Sequence, residues 1–383
     1  MNHMVMLDTT DTKSLTFIHA SDLHLGSQQY HNSHRADDFI RAFQEILKLA
    51  IFKNVDFIIL GGDVFTSLEM LPGKLTKIVN ILTNFSNKTK GTIPIIAIEG
   101  NHDIRKFSRG QRFTKRGQSW LKLLSSLNLL VLLDADIEAP PNEMFQEYNK
   151  ETRRGGKIKV KNAIIYGTQY ISQTPEDYII KFKNAIKRED GAFHILLQHF
   201  GIQGQMENVP GVKYHKIKPL KESVDYLALG HFHLQFTLGG WIYNPGSSEA
   251  ACSVDSSYKR GIFLVEVLGE GPFTKRIHSV RLNNRKHIWD NVTFPKQFKN
   301  KDEVNDYIVK ILKSSLTDLK ANLTPANPQM PNLYLILKGL KPLRSSKIDI
   351  KALTNLICEN FDVVDVKIYQ KFSEKNKKID NYF

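Results

Sequence analysis

Cysteine is scarce in this sequence, since Cys252 and Cys358 are the only two among 383 residues. Two thiols cannot form the disulfide framework of a small secreted domain, and they indicate a reducing compartment. No apolar run is long enough to cross a bilayer. The opening MNHMVMLDTTDTKS has neither a basic start followed by an apolar run nor a small-residue cleavage site. We therefore expect no membrane segment and a cytoplasmic location, with nucleoid association if the source is a prokaryote.

Acidic residues are also few, with 39 Asp plus Glu against 53 Lys plus Arg and a formal net charge of +14. This balance favours polyanionic partners, with nucleic acid ahead of an anionic membrane surface. The content of 41% hydrophobic and 24% charged residues is typical of a folded protein. Because the chain exceeds the usual size of one hydrophobic core, we expect a large domain with a smaller companion.

Short apolar runs that end at Gly, Asp, Asn or His alternate with helical patterns, which predicts an α/β fold. Helices are predicted at residues 36–51, around 75–82 and at 175–186. Strands are predicted at residues 15–20, 55–60, 94–98, 129–133, 163–166, 193–198 and 226–229. Three more, at 241–243, 261–267 and 275–282, are expected to be antiparallel and to close the large domain.

The expected domain organisation has four parts: a flexible tail at 1–14, a large domain at 15–282, a small α/β domain at 286–371 and a tail at 372–383. The polar and basic stretch NNRKHIWDN, residues 283–291, is interpreted as a linker. In the small domain, helices are predicted at 302–322 and 350–358 and strands at 333–337 and 363–369.

Polar motifs follow five of the predicted strands, and together they offer seven potential metal ligands: Asp22, His24, Asp63, Asn101, His199, His231 and His233. In an extended chain alternate side chains face the same way, so Asp22 and His24 should point together, as should His231 and His233. Since α/β sheets place their sites where strands end, we expect the seven groups at one edge.

The chemistry of these groups suits two metal ions, because Asp63 can bridge and the seven residues then fill four positions on each ion. A nitrogen and oxygen set without thiolate favours manganese, iron or zinc over magnesium or calcium. Two such ions catalyse displacement at phosphorus, so hydrolysis of a phosphoester is predicted. Each motif alone could be incidental, and Asn101-His102-Asp103 could merely cap a helix. Five such motifs in order are hard to explain as scattered surface residues.

The motifs DLH, GGD, GNHD, QH and GHFH, in this order, resemble the signature of the calcineurin-like metallophosphoesterases. The longer segments SDLHLG, LGGDVF, IEGNHD, LLQHFG, LGHFHL, YNPGSSE and KRGIFLVEV resemble, within them, the archaeal-type Mre-eleven/SbcD family of DNA double-strand-break repair nucleases. The likeness covers residues 15–282 and extends more loosely beyond. It implies a two-sheet metallophosphoesterase sandwich with flanking helices, followed by a small α/β cap domain that binds DNA.

The resemblance also implies roles for individual residues. Asp22, His24, Asp63 and His233 would hold one metal, usually manganese, and Asp63, Asn101, His199 and His231 the other. His102 would be the catalytic histidine, which stabilises the transition state or protonates the departing sugar oxygen, and Asp103 would hold it in place. The implied activity is manganese-dependent endonuclease and exonuclease cleavage of DNA by a homodimer, with a Rad-fifty-type ATPase as partner.

Two departures from the family pattern bear on function. Where many members read GDLFH, this chain has Asp63-Val64-Phe65-Thr66, so a hydroxyl replaces a further histidine and the balance of exonuclease and endonuclease activity is open. Family members also continue past the cap into a helical segment that binds the ATPase, whereas this sequence stops at Phe383. Either that segment is short or the sequence is part of a longer protein.

A basic stretch free of acidic residues follows the GNHD motif, between residues 104 and 133. It contains Arg105, Lys106, Arg109, Arg112, Lys115, Arg116 and Lys122. A phosphate-binding surface and a solvated helix face both explain such a run. Further candidate DNA contacts are Lys216, in a second basic run, and Tyr30 and His31, in a loop that could instead cap the next helix.

Two rival functions remain beside the DNA nuclease. The same metal site would serve a phosphatase or a phosphodiesterase that acts on substrates other than DNA. A DNA-binding scaffold with a vestigial site is the third reading, although all seven ligands and His102 are present.

Overall fold

The computed structural model describes residues 13–31, 33–104, 119–171, 175–316, 329–343 and 347–373. These residues form two compact units. The first comprises the chain up to Gln29 together with Arg35–Leu282, and the second comprises Tyr30–His34 and the chain from Asn283 onward. Among the described helices, none has the length and apolar character needed to cross a membrane.

The first unit is built on two mixed six-stranded sheets. Its strands are β1 (Lys13–Ala20), β2 (Phe57–Leu60), β3 (Ile95–Ala97), β4 (Val131–Leu132), β5 (Lys157–Val160), β6 (Ala163–Gly167), β7 (Phe193–Gln198), β8 (Tyr226–Leu229), β9 (Phe236–Leu238), β10 (Ile242–Asn244), β11 (Ile262–Leu268) and β12 (Thr274–Val280). The sheet orders are β12-β11-β1-β2-β3-β4 and β5-β6-β7-β8-β10-β9.

A buried apolar layer lies between the two sheets and makes them a sandwich. Phe17 of β1 stacks on Phe57 of β2 and meets the ring of Tyr226 from β8 edge-on, with centroids 5.3 Å apart. Burial of such rings removes a large apolar area from water, which is the main force that holds the layers together. The predicted two-sheet sandwich is thereby confirmed.

Helices cover the outer faces of the sandwich. They are α1 (Ser33–Lys53), α2 (Pro72–Thr89), α3 (Trp120–Ser126), α4 (Pro141–Met144), α5 (Ile179–Ala185) and α6 (Tyr214–Ile217). Residues at helical spacing, such as Phe43 and Ile46 of α1 and Ile78 and Leu82 of α2, pack on the first sheet. The helix predicted at 175–186 is a 3₁₀ turn, Pro175–Tyr178, followed by α5.

Within each sheet, the strands that precede the polar motifs run parallel, so their carboxyl ends lie on the same side. The strands β1 to β4 are parallel, and so are β6, β7 and β8. Of the three strands expected to be antiparallel, β11 and β12 are, whereas β10 pairs parallel with β8 and antiparallel with β9. The short strands β5 (KIKV) and β9 (FTL) were not predicted, because each alternates polar and apolar residues over only a few positions, too few to identify a strand.

The second unit is a three-stranded parallel sheet with two helices. Its elements are β13 (His287–Phe294), α7 (Lys301–Ser315), β14 (Asn332–Leu340), α8 (Ile350–Asn360) and β15 (Asp365–Ser373). The helices pack Ile308 and Ile357 against the sheet's Leu333 and Leu335. The side chains of Asn300 and Asp349 cap the first turns of α7 and α8.

The linker predicted at 283–291 is wrong from His287 onward, where β13 begins. In β13, exposed side chains alternate with more buried ones from Trp289 onward, so that Val292 and Phe294 are buried while Trp289 lies on the other side against Tyr334. Polar composition hid this period of two, which is the real signal of a half-buried strand.

Candidate metal centre

The seven predicted side chains come together, but from two sheets rather than one edge. Asp22 and His24 follow β1, Asp63 follows β2 and Asn101 follows β3 in the first sheet. The second sheet supplies the other three, since His199 follows β7 and both His231 and His233 follow β8. The expectation of one sheet edge is corrected to a pair of neighbouring edges.

The prediction from a period of two assumed that the segments carrying these groups are extended. In the structure they are not. Asp22, His24, Asp63 and His231 have φ of 51°, 45°, 49° and 82°, in the left-handed region that non-glycine residues seldom occupy. Such residues cost about 1–3 kcal/mol each and persist where the surroundings hold them. Here backbone hydrogen bonds hold them: the N–H of Asp22 donates to Gly62 and that of His24 to Asp63, both at 3.0 Å.

The first cluster consists of Asp22, His24 and His233, which present ligand atoms within 4.8 Å of one another. The Nε2 atoms of His24 and His233 are 3.0 Å apart, and Nε2 of His233 lies 3.9 Å from Asp22 Oδ1. Asp22 is fully buried, with Ser21 Oγ donating to its Oδ2 at 2.6 Å. Three lone-pair donors therefore face one point.

The second cluster consists of Asp63, His199 and His231, again with ligand atoms within 4.8 Å. Nε2 of His199 is 3.2 Å from Asp63 Oδ2. Asn101 joins this cluster, because its Oδ1 lies 3.2 Å from His199 Nε2 and 3.0 Å from His231 Nδ1. Nδ1 of His199 contacts the Gly61 carbonyl at 2.7 Å, which leaves Nε2 for the cluster.

His102 lies at the open side of both clusters, with 47% of its side chain exposed. It forms a third set with His24 and Asp63, and its Nε2 is 4.0 Å from Asp63 Oδ2. Its Nδ1 lies 2.9 Å from the backbone carbonyl of Thr66. When that nitrogen donates to the carbonyl, the opposite ring nitrogen is turned toward the clusters.

Asp103, which was expected to hold His102 in place, contacts the backbone instead of the His102 ring. Its carboxylate accepts the backbone N–H groups of Gly100, Val64 and Phe65 at 2.8 to 3.2 Å. Among the hydrogen bonds of the described residues, none joins Asp103 to the His102 ring. Asp103 therefore holds the loop backbone that carries His102, and the Thr66 carbonyl holds the ring.

Asp63 and His199 form a buried pair of opposite charge. Burial alone would raise the pKa of Asp63, but the facing His199 holds the pKa of that carboxyl well below its usual value. Burial would lower the pKa of His199, and the Asp63 carboxylate instead raises it to about 9. A divalent cation bound between them would take the place of that proton.

Two of the other three ligand histidines, His24 and His231, favour the neutral form that metals require. The pKa of His233 is raised instead, because the lowering effect of burial is outweighed by its hydrogen bond to Asp255 and by the charge of nearby carboxylates. Burial, with the neighbouring His233, lowers the pKa of His24 to about 3. Burial, with the charge of His199, lowers the pKa of His231 to about 4. Imidazole, carboxylate and amide donors converge without a thiolate, so the residues fit two divalent cations of the kind found in dimetal phosphoesterases.

The segment YNPGSSE, to which no role was given, supports the loop that bears His231 and His233. Asn244 donates from Nδ2 to the carbonyls of Phe232 and Leu234 at 2.7 and 2.8 Å. A Cβ on Gly246, whose φ is +73°, would lie 2.5 Å from the His233 carbonyl, so only glycine fits there. The segment YNPGSSE contributed to the family resemblance, but the physical reason for its Asn and Gly became visible only in the folded structure.

Most of the candidate DNA contacts are not part of this site as described. Arg105, Arg109 and Arg112 lie outside the described residues, and so does the side chain of His31. Lys216 is exposed on α6. Tyr30 packs within the second unit, where the Lys367 ammonium lies 4.7 Å from its ring.

Lys122, counted in the basic stretch, pairs with the buried Glu99 at 3.4 Å. Burial raises the pKa of the Glu99 carboxyl, and Lys122 opposes that shift. This lysine therefore compensates a buried charge beside the GNHD loop, which reduces its value as a phosphate contact.

A family model described as calcineurin-like phosphoesterase matches residues 15–235. The chain belongs to this family. The match covers all seven predicted ligands and His102, and it makes the protein a metal-dependent phosphoesterase with a site of the dimetal type.

Relatives of this calcineurin-like phosphoesterase include proteins named "DNA double-strand break repair protein Mre11". One, from Archaeoglobus fulgidus, is 29% identical over 240 residues, or 61% of this chain and 50% of that protein. Another, from Sulfurisphaera tokodaii, is 26% identical over 332 residues, or 84% of this chain and 73% of that protein. A Bacillus subtilis protein named "Uncharacterized metallophosphoesterase YhaO" is 27% identical over 265 residues, 68% of this chain and 62% of that protein. The match to the Archaeoglobus protein thus spans half of its length.

Proposed function

We propose that this phosphoesterase is a DNA nuclease that hydrolyses phosphodiester bonds with two divalent cations, manganese in our expectation, in double-strand-break repair. One observation carries the two-metal part: the buried Asp63 carboxylate belongs to the second cluster and also lies within 4.8 Å of His24, a member of the first. One carboxylate placed between two nitrogen-rich clusters is what a shared ligand requires.

In this proposal each cation has four protein ligands. One is held by Asp22, His24, Asp63 and His233, and the other by Asp63, Asn101, His199 and His231. When bound, the cations lower the pKa of a water molecule and neutralise charge on the phosphoryl oxygens.

The residues around the cations bring the substrate and a proton to the right place. His102 is exposed enough to meet a backbone phosphate, and its Nε2 faces the clusters because Nδ1 is engaged by Thr66. In the protonated form Nε2 donates to the departing sugar oxygen. Thr66 acts here through its main-chain oxygen, so a hydroxyl in place of a histidine side chain leaves this part of the site intact.

The choice of DNA is supported by the relatives named as DNA double-strand break repair proteins and by the net charge of +14. From the same likeness we propose a homodimer, a cap domain at residues 286–371 that binds DNA, and a Rad-fifty-type ATPase as partner. The second candidate, a phosphatase or phosphodiesterase for other substrates, is favoured by the Bacillus relative, whose name specifies only a metallophosphoesterase.

One assay separates these functions. The protein is incubated with Mn²⁺ and either end-labelled duplex DNA, circular single-stranded DNA or a phosphate monoester. We expect shortening of the duplex and cutting of the circle, and neither with Asp63→Ala. Opening of the circle reports endonuclease activity, since a circle has no end for an exonuclease.

Two results would overturn the DNA assignment. Rapid turnover of the monoester without DNA cleavage would establish the phosphatase instead. DNA binding without turnover of any substrate, in protein that demonstrably holds two Mn²⁺, would establish the scaffold.

A further inference from the structure

Asp255 is a buried carboxylate outside the seven proposed ligands, in a 3₁₀ turn at Val254–Ser257. Its Oδ2 lies 2.7 Å from Nδ1 of His233 and accepts the backbone N–H groups of Ala251 and Cys252 at 3.0 and 3.2 Å. Its Oδ1 accepts from Cys252 Sγ at 3.2 Å. Four donors therefore converge on one carboxylate, and one of them is a ring that reaches the first cluster.

The effect of the Asp255 contact on the His233 ring is seen at the opposite ring nitrogen, Nε2. Nε2 of His233 lies 3.0 Å from His24 Nε2 and 3.9 Å from Asp22 Oδ1. A neutral imidazole carries a proton on one nitrogen and a lone pair on the other. A carboxylate at Nδ1 requires the proton there, so the lone pair at Nε2 points into the first cluster.

Asp255 is also held by contacts that do not involve His233. Arg260 donates from Nη1 to the Asp255 carbonyl at 2.8 Å, and its Nη2 lies 3.8 Å from Glu249. Glu249 also pairs with the fully buried Arg35 at 3.3 Å. Arg260 therefore fixes the backbone of Asp255, while the N–H groups of Ala251 and Cys252 hold its carboxylate, so the carboxylate is in place to orient His233.

We propose that Asp255 is a positioning residue, which fixes the tautomer and direction of His233 and thereby sets the affinity of the first cluster for a divalent cation. The inference rests on the metal assignment of the proposed function but not on DNA as the substrate. It concerns one cation only, because His199 in the second cluster is oriented by the Gly61 carbonyl at 2.7 Å and does not contact Asp255.

The test is a calorimetric titration of the metal-free full chain with Mn²⁺, together with metal analysis after dialysis. The parent chain should bind two ions. Asp255→Ala should bind one of them about 10- to 100-fold more weakly and leave the other unchanged, the range typical when a carboxylate behind a ligating histidine is lost. Asp255→Asn, which keeps an acceptor for the His233 ring, should lie between them.

The matched control is Asp225→Ala. Asp225 also accepts a backbone N–H, from His194 at 2.8 Å, and pairs with Arg188 at 3.0 Å, yet it contacts none of the proposed ligands. This variant should bind both Mn²⁺ ions as the parent does. A similar loss in both variants would show that Asp255 acts only through stability.

A double-mutant cycle with His233→Ala gives a sharper readout. If Asp255 acts through His233, its removal should add no further loss of affinity once the ring is gone. Full additivity would overturn the proposal, as would parental affinity for both ions in Asp255→Ala. A parent chain that binds no Mn²⁺ would refute the metal-dependent function itself, and the two failures are therefore distinguishable.

Discussion

The two clusters orient their histidines by different means. In the second cluster, the ring of His199 is directed by the main-chain carbonyl of Gly61, at the end of β2. In the first cluster, the ring of His233 is directed by the side chain of Asp255, on a turn that lies 22 residues later in the chain. A carbonyl cannot be removed by substitution, whereas a carboxylate can. Only in the first cluster can the contact that orients the histidine be removed by a single substitution that leaves every proposed ligand in place.

Asp63 joins the two clusters, and its loss should have the largest effect. Asp63→Ala should remove the ligand shared by both cations, so that Mn²⁺ binding and cleavage both fall to background. Metal analysis and the duplex assay measure these losses. The matched control is Asp56→Ala, at the opposite end of β2, where the carboxylate accepts the Thr16 N–H at 2.7 Å. Retention of two ions by Asp63→Ala would exclude the shared-ligand role.

The next largest effect is expected at His102, which touches Asp63 but stands outside both four-residue ligand sets. His102→Ala should slow DNA cleavage by about 10² to 10⁴-fold while two Mn²⁺ still bind, because proton transfer is lost and the ligands remain. Single-turnover rates and metal titration give the two values. The control is His278→Ala, an exposed histidine of β12 that pairs with Glu266 at 3.7 Å. Loss of metal by the His102 variant would make it a ligand instead.

Gly100 offers a way to disturb the shared carboxylate without changing a ligand. A Cβ at this position would lie 2.2 Å from Asp63 Oδ1 and 2.3 Å from Asp63 N. Gly100→Ala should therefore displace Asp63, destabilise the protein by about 1–3 kcal/mol and weaken both cations together. Thermal melting with and without Mn²⁺ tests this. Gly73→Ala, where a Cβ meets nothing within 4 Å, should leave both quantities nearly unchanged.

The smallest effect concerns His19, a histidine of β1 that belongs to neither cluster. It is fully buried, its Nε2 is 3.0 Å from the Leu229 carbonyl, and burial lowers its pKa to about 3. As the pH falls from 6.5 toward 3, the unfolded chain binds a proton that the folded chain refuses, so stability is lost at up to about 1.4 kcal/mol per pH unit. Urea unfolding at pH 7 and pH 5 should show a shallower loss in His19→Gln. An unchanged slope would mean that His19 takes up its proton in the folded state.

The sequence allowed the strand ends to be found, because each motif follows an apolar run and those runs are the strands of the sandwich. It did not reveal the left-handed φ of Asp22 or Asp63, since most Asp residues have a negative φ and residue type alone does not identify the exceptions. The role of Asp255 could not be predicted for another reason: only the tertiary fold brings it into contact with His233. The contact of the Thr66 carbonyl with His102 could not be predicted either. Every residue has a backbone carbonyl, and only the folded structure shows which one lies beside the ring.

The buried charges behind Asp255 link parts of the chain that are distant in sequence. Arg35, at the start of α1, donates to the Ala250 carbonyl at 3.0 Å and to Gln29 Oε1 at 2.7 Å, while Arg260 donates to the Asp255 carbonyl. Breaking any one of these contacts would leave a buried charged group without a partner, so we expect them to break together. In hydrogen exchange, the first turn of α1 and residues 249–260 should therefore behave as one cooperative unit, and the cation of the first cluster should slow exchange in both.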